Sequence, residues 1–203
     1  MTEKAPVFDK IMKDYLCQVA LIEAKEEVGT SLGIRVMNDG YTIPFFNRTY
    51  TVTTDRIIDA DGKTASHAIA VILCKYLLLC PNLPSNDFSL VTYKDFKDAN
   101  PYVGGFRNTA ENPIAGYFEN CLPKLEKRYL DLGGHPFDTE VSCQLAVKFL
   151  ALPKVPVFLL FNDADEDFPA QATLLFQKNA ASYLDMECLA MIASTLAYRL
   201  QEK

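Results

Sequence analysis

The chain has 203 residues, 49% hydrophobic and 23% charged, which is the composition of a globular protein able to bury a sizeable core. Its 26 acidic and 20 basic residues give a formal net charge of −6, and the lysines and arginines are scattered without forming a stripe. Because such a field repels a nucleic-acid duplex and an anionic membrane surface, we expect neither as a partner.

The compartment can be predicted from the first residues, the apolar runs and the cysteines. The opening MTEKAPVFDK lacks the apolar stretch of a signal peptide, and the longest apolar run, residues 68–80, is short for a bilayer span and contains Lys75. The six cysteines are widely spaced, without a Cys-x-x-Cys pair, and most lie in apolar runs. We therefore predict a cytoplasmic, membrane-free protein with reduced thiols.

The N-terminal part is predicted to be a helix. Apolar residues recur at helical spacing from Phe8 to Ile22, while charged residues occupy the opposite face. We expect Gly29 to end this helix.

A β-rich meander is predicted next. Asp39-Gly40 and Asn47-Arg48 stand between strand-like runs as hairpin turns, and Asp61-Gly62 closes the segment. The first helix and this meander, residues 1–62, form a potential subregion of a single domain spanning residues 1–203.

The middle of the chain alternates between helix and connection. Thr64 or Ser66 can cap an almost wholly apolar helix over residues 67–80, which we expect at the centre of the core. SLVTYKDF predicts one strand, and residues 97–113 read as a long polar connection.

The C-terminal part predicts helices and strands in clusters. Residues 114–132 are predicted to be helical with a kink or break at Pro123, and a last helix starts between Ser182 and Asp185. Three strands are predicted between them, from QLAVKFL, VPVFLLF and ATLLFQ. Because strands cluster and do not alternate strictly with helices, we predict an α+β fold with a mostly antiparallel sheet and packed helices.

Residues 163–167 are the densest cluster of ionisable side chains in the chain. They contain the four carboxylates Asp163, Asp165, Glu166 and Asp167 between two apolar runs. They fail the EF-hand pattern, because Phe168 and Leu174 stand where a glycine and a bidentate glutamate are required. A looser Mg²⁺ or Ca²⁺ site and a pair of acid–base carboxylates stay open. We favour a solvated hairpin tip, with Phe168 and Pro169 folded back on the core.

Two further segments are candidates. Residues 29–33, Gly-Thr-Ser-Leu-Gly, have the letters of a hydrolase nucleophile elbow around Ser31, but a helix precedes them and a strand follows, so a helix C-cap is favoured. In residues 102–112 a Gly-Gly pair beside Arg107 could let backbone amides approach an anion, although the spacing matches no Walker or dinucleotide loop.

The order of segments resembles a known but uncharacterised family. The segments that carry the resemblance are YTIPFFNRTYTV, SHAIAVILCKYLLLC, LVTYKDF with the following YVGGF, and the stretch from residue 151 to residue 200. Together they resemble a "domain of unknown function" family found largely in anaerobic bacteria and archaea. Some of its members look fused to an iron–sulfur domain like that of the corrinoid iron–sulfur protein. The resemblance is most specific at Pro153, Val155, Pro156, Asp165, Glu166, Phe168, Pro169, Ala170, Leu175, Phe176, Tyr183 and Leu184.

This sequence departs from the family pattern at two points. Gln177 stands where the family tends to have an aspartate, and the appended cysteine cluster is absent, so a cluster-bearing role does not carry over. What the resemblance implies is a shared fold and a setting in anaerobic one-carbon or corrinoid metabolism, without an activity. It also places Asp165 and Glu166 ahead of Asp163 and Asp167 as site residues.

We therefore predict a binding or accessory module for a cofactor, small molecule or partner protein, with Arg107 and the acidic residues as candidate ligand contacts. The rival is a metal-assisted hydrolase or transferase that uses residues 163–167. A third hypothesis is a structural subunit whose exposed apolar face binds another copy of itself. The sequence assigns no metal, cofactor or catalytic residue.

Overall fold

The computed structural model describes residues 6–202, and within them the chain forms helices and two antiparallel sheets. The protein is therefore α+β, as predicted. The helices are α1 (Pro6–Ala20), α2 (Lys25–Leu32), α3 (His67–Leu78), α4 (Val103–Phe106), α5 (Asn112–Phe118), α6 (Leu122–Asp131) and α7 (Met186–Gln201). The strands are β1 (Arg35–Met37), β2 (Gly40–Phe45), β3 (Arg48–Thr53), β4 (Ile57–Asp59), β5 (Leu90–Thr92), β6 (His135–Pro136), β7 (Leu145–Leu152), β8 (Val155–Asn162) and β9 (Gln171–Gln177).

The first sheet is the predicted meander, in the order β1-β2-β3-β4. Its two tight turns are Asn38-Asp39 and Phe46-Asn47, each one residue before the predicted position. Gly40 belongs to β2, where its backbone pairs with Thr53 of β3. The residue must be a glycine, because a Cβ there would overlap the carbonyl oxygen of Val52. The second turn has a positive φ at both positions, 47° and 59°, as the twist of a two-residue hairpin requires.

The second sheet has the order β5-β9-β8-β7-β6, and every neighbouring pair is antiparallel. Its middle strand β8 is buried from Val155 to Phe161, which explains why its sequence is apolar without alternation. The three strands predicted here are confirmed as β7, β8 and β9, and so is the one from SLVTYKDF, as β5. The short strands β4 and β6 escaped prediction, because two or three residues carry no periodic signal.

Helix boundaries were predicted unevenly. The first helix ends at Ala20, and α2 continues from Lys25 through Gly29, so the prediction that Gly29 ends a helix was wrong. Gly33 is the left-handed residue that ends α2, with φ 69°. The break predicted near Pro123 is confirmed, because α5 ends at Phe118 and α6 begins at Leu122, with Pro123 in its first turn.

Residues 97–113 differ most from the prediction. The sequence suggested a polar connection, but the chain is helical from Val103 to Phe118 through α4, a π-helical turn at Arg107–Glu111 and α5. Two glycines and two prolines obscured a buried stripe of Phe106, Ala110, Ile114 and Phe118. The tertiary burial of that stripe outweighs the weak local propensity.

The core joins both sheets to the helices in one cluster of buried side chains. The predicted apolar helix is α3, capped by Ser66, whose hydroxyl accepts from the N–H of Ile69. All six cysteines are free in the structure. Organisation as a single domain stays a prediction, which limited proteolysis would test by yielding one resistant fragment.

A buried arginine ties the last helix to the meander. Arg199 on α7 is only 2% exposed, and its guanidinium donates to the carbonyl of Phe45 (2.9 Å) and to the hydroxyl of Tyr50 (2.7 Å). Its carbon also lies 5.1 Å from the centre of the Phe45 ring. Burial lowers the pKa of this arginine, yet carbonyl dipoles and aromatic faces still support its charge.

Candidate binding groove

The helical run from α4 to α5 forms one wall of a groove. Its buried residues recur every four positions, at Phe106, Ala110, Ile114 and Phe118, which is slightly more than one α-helical turn of 3.6 residues. The π-helical turn at Arg107–Glu111 supplies the extra residue that keeps them on one face. π-Helical turns inside α-helices are frequent at functional sites.

The groove between this wall and strands β5 and β9 has a volume of about 580 Å³. That volume lies within the range of ligand sites in proteins. Tyr93 and Phe106 line it, with their rings stacked 4.2 Å apart and almost parallel at 6°. Both residues are 2% exposed, so the stacked pair is a fixed, almost fully covered layer beneath the groove.

Three ionisable side chains other than Tyr93 line the groove. Lys94 and Arg107 are exposed, and Glu111 is half-buried one helical turn after Arg107. The N–H of Leu174 donates to Glu111 Oε1 at 3.0 Å. Burial raises the pKa of Glu111, against the opposing effects of the Leu174 hydrogen bond and of the Arg107 charge.

The opposite wall is an open stretch of strand edge. Strand β5 pairs with β9 only at residues 175–177, so within residues 6–202 no strand covers residues 171–174 on that side. The N–H of Leu174 points away from β8 to reach Glu111. Because backbone groups two residues apart in a strand face the same way, the N–H and C=O of Ala172 also face the groove.

This arrangement is suited to holding an anion with an apolar body. Arg107 offers a planar fork for carboxylate or phosphate, Lys94 adds a second positive charge, and Ala172 adds a backbone donor. Glu111 is the one carboxylate that lines the groove, and burial favours its neutral form.

The acidic residues lie in the loop between β8 and β9, which confirms the hairpin position, and none of the four carboxylates lines the groove. Asp163 Oδ1 accepts from the N–H of Asn120 (2.6 Å) and from the N–H of Ala164 (2.9 Å). This carboxylate therefore fastens the loop to the turn between α5 and α6.

Asp165 has a similar local role. Its Oδ1 accepts from the N–H groups of Asp167 and Phe168, at 2.9 and 2.8 Å. Glu166 and Asp167 are exposed. Phe168, 63% exposed, and Pro169 are exposed as well, so the prediction that these two residues fold back on the core was wrong. Residues 6–202 contain no group of three or more His, Cys, Asp or Glu side chains placed to hold a metal ion.

A nucleophilic Ser31 would need a base from one of the chain's two histidines, His67 and His135, and no described hydrogen bond joins it to either. Ser31 lies in the last turn of α2, and the predicted C-cap is confirmed at Gly33. His67 packs its ring 4.6 Å from that of Phe8, and His135 lies in the short strand β6. The Gly-Gly pair at residues 104–105 is part of α4, so its amides do not form a separate anion-binding loop.

Sequence reasoning found Arg107 but missed its partners. Glu111 stands at i+4 from Arg107, a spacing that would have paired them once the segment was read as a helix. Nothing in the sequence marks Lys94 or Ala172, because their place in the groove depends on how β5 and β9 pair.

The fold and groove define an α+β protein with one buried antiparallel sheet, a separate meander and a ligand-sized groove at a strand edge. The chain belongs to the family described as Domain of unknown function (DUF3786), whose model matches residues 25–199. No curated protein and no solved structure matches the chain. No helix within residues 6–202 combines the length and apolar character needed to cross a membrane.

Proposed function

We propose that this protein is a binding module that holds a small organic anion, either a metabolite or the anionic part of a cofactor, in the groove beside Arg107. The observation that carries the proposal is the meeting of Arg107, Lys94 and the half-buried Glu111 around one ligand-sized cavity. A cavity with a few convergent polar groups and a perturbed ionisable residue is the usual form of a ligand site.

In this proposal each wall has a separate task. Arg107 binds the carboxylate or phosphate through paired hydrogen bonds, and Lys94 adds charge attraction. The stacked Tyr93 and Phe106 rings fix the layer beneath the groove, and the partly exposed Val103 and Ala115 contact the apolar body of the ligand. Glu111 keeps the free edge of β9 in place through the Leu174 hydrogen bond.

The experiment begins with native mass spectrometry of the protein purified without oxygen, which would detect a bound anion by its mass. The identified compound is then titrated calorimetrically into wild type, Arg107→Gln, Lys94→Gln and Lys127→Gln. Loss of a charge-assisted contact at Arg107 should weaken binding about tenfold or more. Lys127 is exposed on α6 and does not line the groove, so its variant should bind as wild type does.

If no small molecule co-purifies, inorganic phosphate, pyrophosphate and citrate are the probes, and the readout is the melting temperature. Stabilisation that is lost in Arg107→Gln but kept in Lys127→Gln supports the groove. Equal loss in both variants, or no stabilisation by any probe, overturns the proposal.

The rival, a metal-assisted hydrolase or transferase at residues 163–167, makes a different prediction. Mg²⁺, Mn²⁺ or Ca²⁺ should then raise the melting temperature, and Asp165→Asn and Glu166→Gln should remove that effect. We place this hypothesis second, because Asp163 and Asp165 already use one oxygen each to accept backbone hydrogen bonds.

The wider setting also belongs to the proposal. We propose a reducing cytoplasmic location, which the free cysteines support. From the resemblance noted in the sequence, we also propose a role as accessory module in anaerobic metabolism. Association with a partner protein or with a second copy would appear as a concentration-dependent mass in light scattering.

A further inference from the structure

The edge of β9 becomes free where strand β5 stops. β5 pairs with β9 from Leu90 to Thr92, opposite residues 177 to 175, and the chain then leaves the sheet in the 3₁₀ turn Tyr93–Asp95. Asp95 fixes this departure, because its Oδ2 accepts from both the N–H and the hydroxyl of Thr92, at 3.0 and 2.6 Å. The line of β5 therefore has a defined end, and β9 continues past it.

Beyond that end, β9 presents the backbone of Ala172 to the groove. Ala172 faces the same side as Leu174, whose N–H is already bonded to Glu111 Oε1. Within residues 6–202 no strand pairs with Ala172 on this side, and no side chain bonds to its N–H or C=O. The residue lines the groove and is half-buried, so a ligand in the groove reaches both groups.

A donor and an acceptor on the same strand residue define the chemistry that matches them. In an antiparallel ladder each such residue exchanges two hydrogen bonds with one residue of the neighbouring strand. The complement of Ala172 is therefore another peptide residue in extended conformation, lying where β5 would continue.

The positive charge of the groove lies close to this edge. Lys94 follows the end of β5 by two residues, and Arg107 lies one helical turn before Glu111, which touches β9 at Leu174. Within residues 6–202 neither cation forms an ion pair with a carboxylate. One helical turn advances about 5 Å and two strand residues about 7 Å, so a few residues of extended chain connect Arg107 with Ala172.

We propose that the anion beside Arg107 is the C-terminal carboxylate of a short peptide, which adds as a strand to the free edge of β9. This inference rests on the proposed function and names its ligand class. The peptide exchanges backbone hydrogen bonds with Ala172, and its carboxylate binds Arg107 and Lys94. Strand addition at a free edge and capture of a C-terminal carboxylate are both general modes of peptide recognition.

The side chains of such a peptide meet small apolar residues. Val103 and Ala115 on the helical wall and Ala170 before β9 line the groove and are partly exposed. The groove, with its volume of about 580 Å³, is in the range that holds a drug-sized ligand. A peptide of about three small residues therefore suits it.

The test compares ligands that differ either in the carboxylate or in the backbone. The probes are acetyl-trialanine, its C-terminal amide, and acetyl-trilactate, which has an ester oxygen in place of each amide N–H. They are titrated into the ¹⁵N-labelled protein, and the backbone signals of residues 171–174 report binding. Acetyl-trialanine should bind about tenfold more tightly than its amide, which lacks the charge for Arg107, and about tenfold more tightly than acetyl-trilactate, which cannot donate to Ala172.

Variants assign the two contacts. Arg107→Gln should reduce the preference for acid over amide to about onefold and keep the preference over acetyl-trilactate. Ala172→Pro removes the N–H that faces the groove and spares the ladder with β8, since proline is tolerated at a strand edge, and should weaken acetyl-trialanine about tenfold. Ala172→Ser changes the side chain and keeps the N–H, so its loss should be under twofold. Lys127→Gln, outside the groove, is the control for charge.

Citrate and phosphate, titrated in parallel, separate this inference from the proposed function. If they bind through Arg107 while acetyl-trialanine has no advantage over acetyl-trilactate, or loses nothing in Ala172→Pro, the anion site stands and the peptide is overturned. Undiminished peptide binding in Arg107→Gln, or no shift by any ligand at about 10 mM, overturns both. If Ala172→Pro does not fold, as melting would reveal, the three peptide probes in wild type and Arg107→Gln decide the result.

Discussion

The acidic loop and the groove use their carboxylates in opposite ways. The loop places Asp163, Asp165, Glu166 and Asp167 within five residues, but two of them hold backbone N–H groups and the other two face solvent. The groove has a single carboxylate, Glu111, and burial shifts its pKa upward. In this protein the four clustered carboxylates therefore hold the loop or face solvent. The isolated, half-buried Glu111 is the better candidate for a ligand-binding residue.

Substitution of Glu111 should have the largest effect on stability. Glu111→Ala leaves the N–H of Leu174 without its acceptor at the edge of β9, so we expect the free energy of unfolding to fall by about 2 kcal/mol. Urea denaturation measures the change, with Glu166→Ala as the matched control. Equal losses in the two variants would mean that Glu111 in the groove contributes no more to stability than the exposed Glu166 in the loop.

Substitution of Asp163 should have the second-largest effect on stability, because its carboxylate fastens the loop to the turn between α5 and α6. Asp163→Ala removes the acceptor for two N–H groups, of Asn120 and Ala164, and should lower the free energy of unfolding by about 1.5 kcal/mol. Asp163→Asn keeps the acceptor oxygen, so it should lose less than half as much. An asparagine variant as unstable as the alanine variant would show that charge, not the hydrogen bonds, stabilises the loop.

The pH dependence of Glu111→Gln should be a smaller effect with a definite sign. Because the pKa of Glu111 is raised on folding, the wild type loses stability as pH rises from the unfolded pKa through the folded pKa, and the full loss is present above both. Glutamine keeps the acceptor for Leu174 but has no charge. The variant should thus gain stability relative to wild type between about pH 4 and about pH 7.

Urea denaturation at the two pH values checks this prediction, with Glu166→Gln as the control for loss of an exposed charge. A relative gain of the same size in both glutamine variants would mean that net charge, not burial at position 111, sets the pH dependence.

Asp167→Ala and Glu166→Ala should have the smallest effects. Both side chains are exposed, and the described hydrogen bonds and ion pairs give neither carboxylate a protein partner. We expect the free energy of unfolding to change by no more than about 0.5 kcal/mol in thermal or urea denaturation. A larger loss would mean that Glu166 or Asp167 makes a stabilising contact at the loop tip, as Glu111 does in the groove.

The sequence predicted the sheet better than it predicted the groove. Strands β7 to β9 and helix α3 have long, regular apolar patterns, so their positions followed directly. The helix through Arg107 was missed because its buried stripe has a period of four, imposed by a π-helical turn, and contains glycines and prolines nearby. The groove itself is harder still to predict from sequence, because Lys94 and Glu111 line one cavity only once β5 pairs with β9.

The reach of Arg199 has a consequence for biosynthesis. Its guanidinium bonds to Tyr50, which lies 149 residues earlier in the chain. As the protein emerges from the ribosome, the hairpins around Phe45 can form from neighbouring residues alone. The carbonyl of Phe45, however, has no Arg199 donor until the last helix has been synthesised. The meander should therefore become fully protected from hydrogen exchange only after α7 has been made, so its maturation is a late event despite its early synthesis.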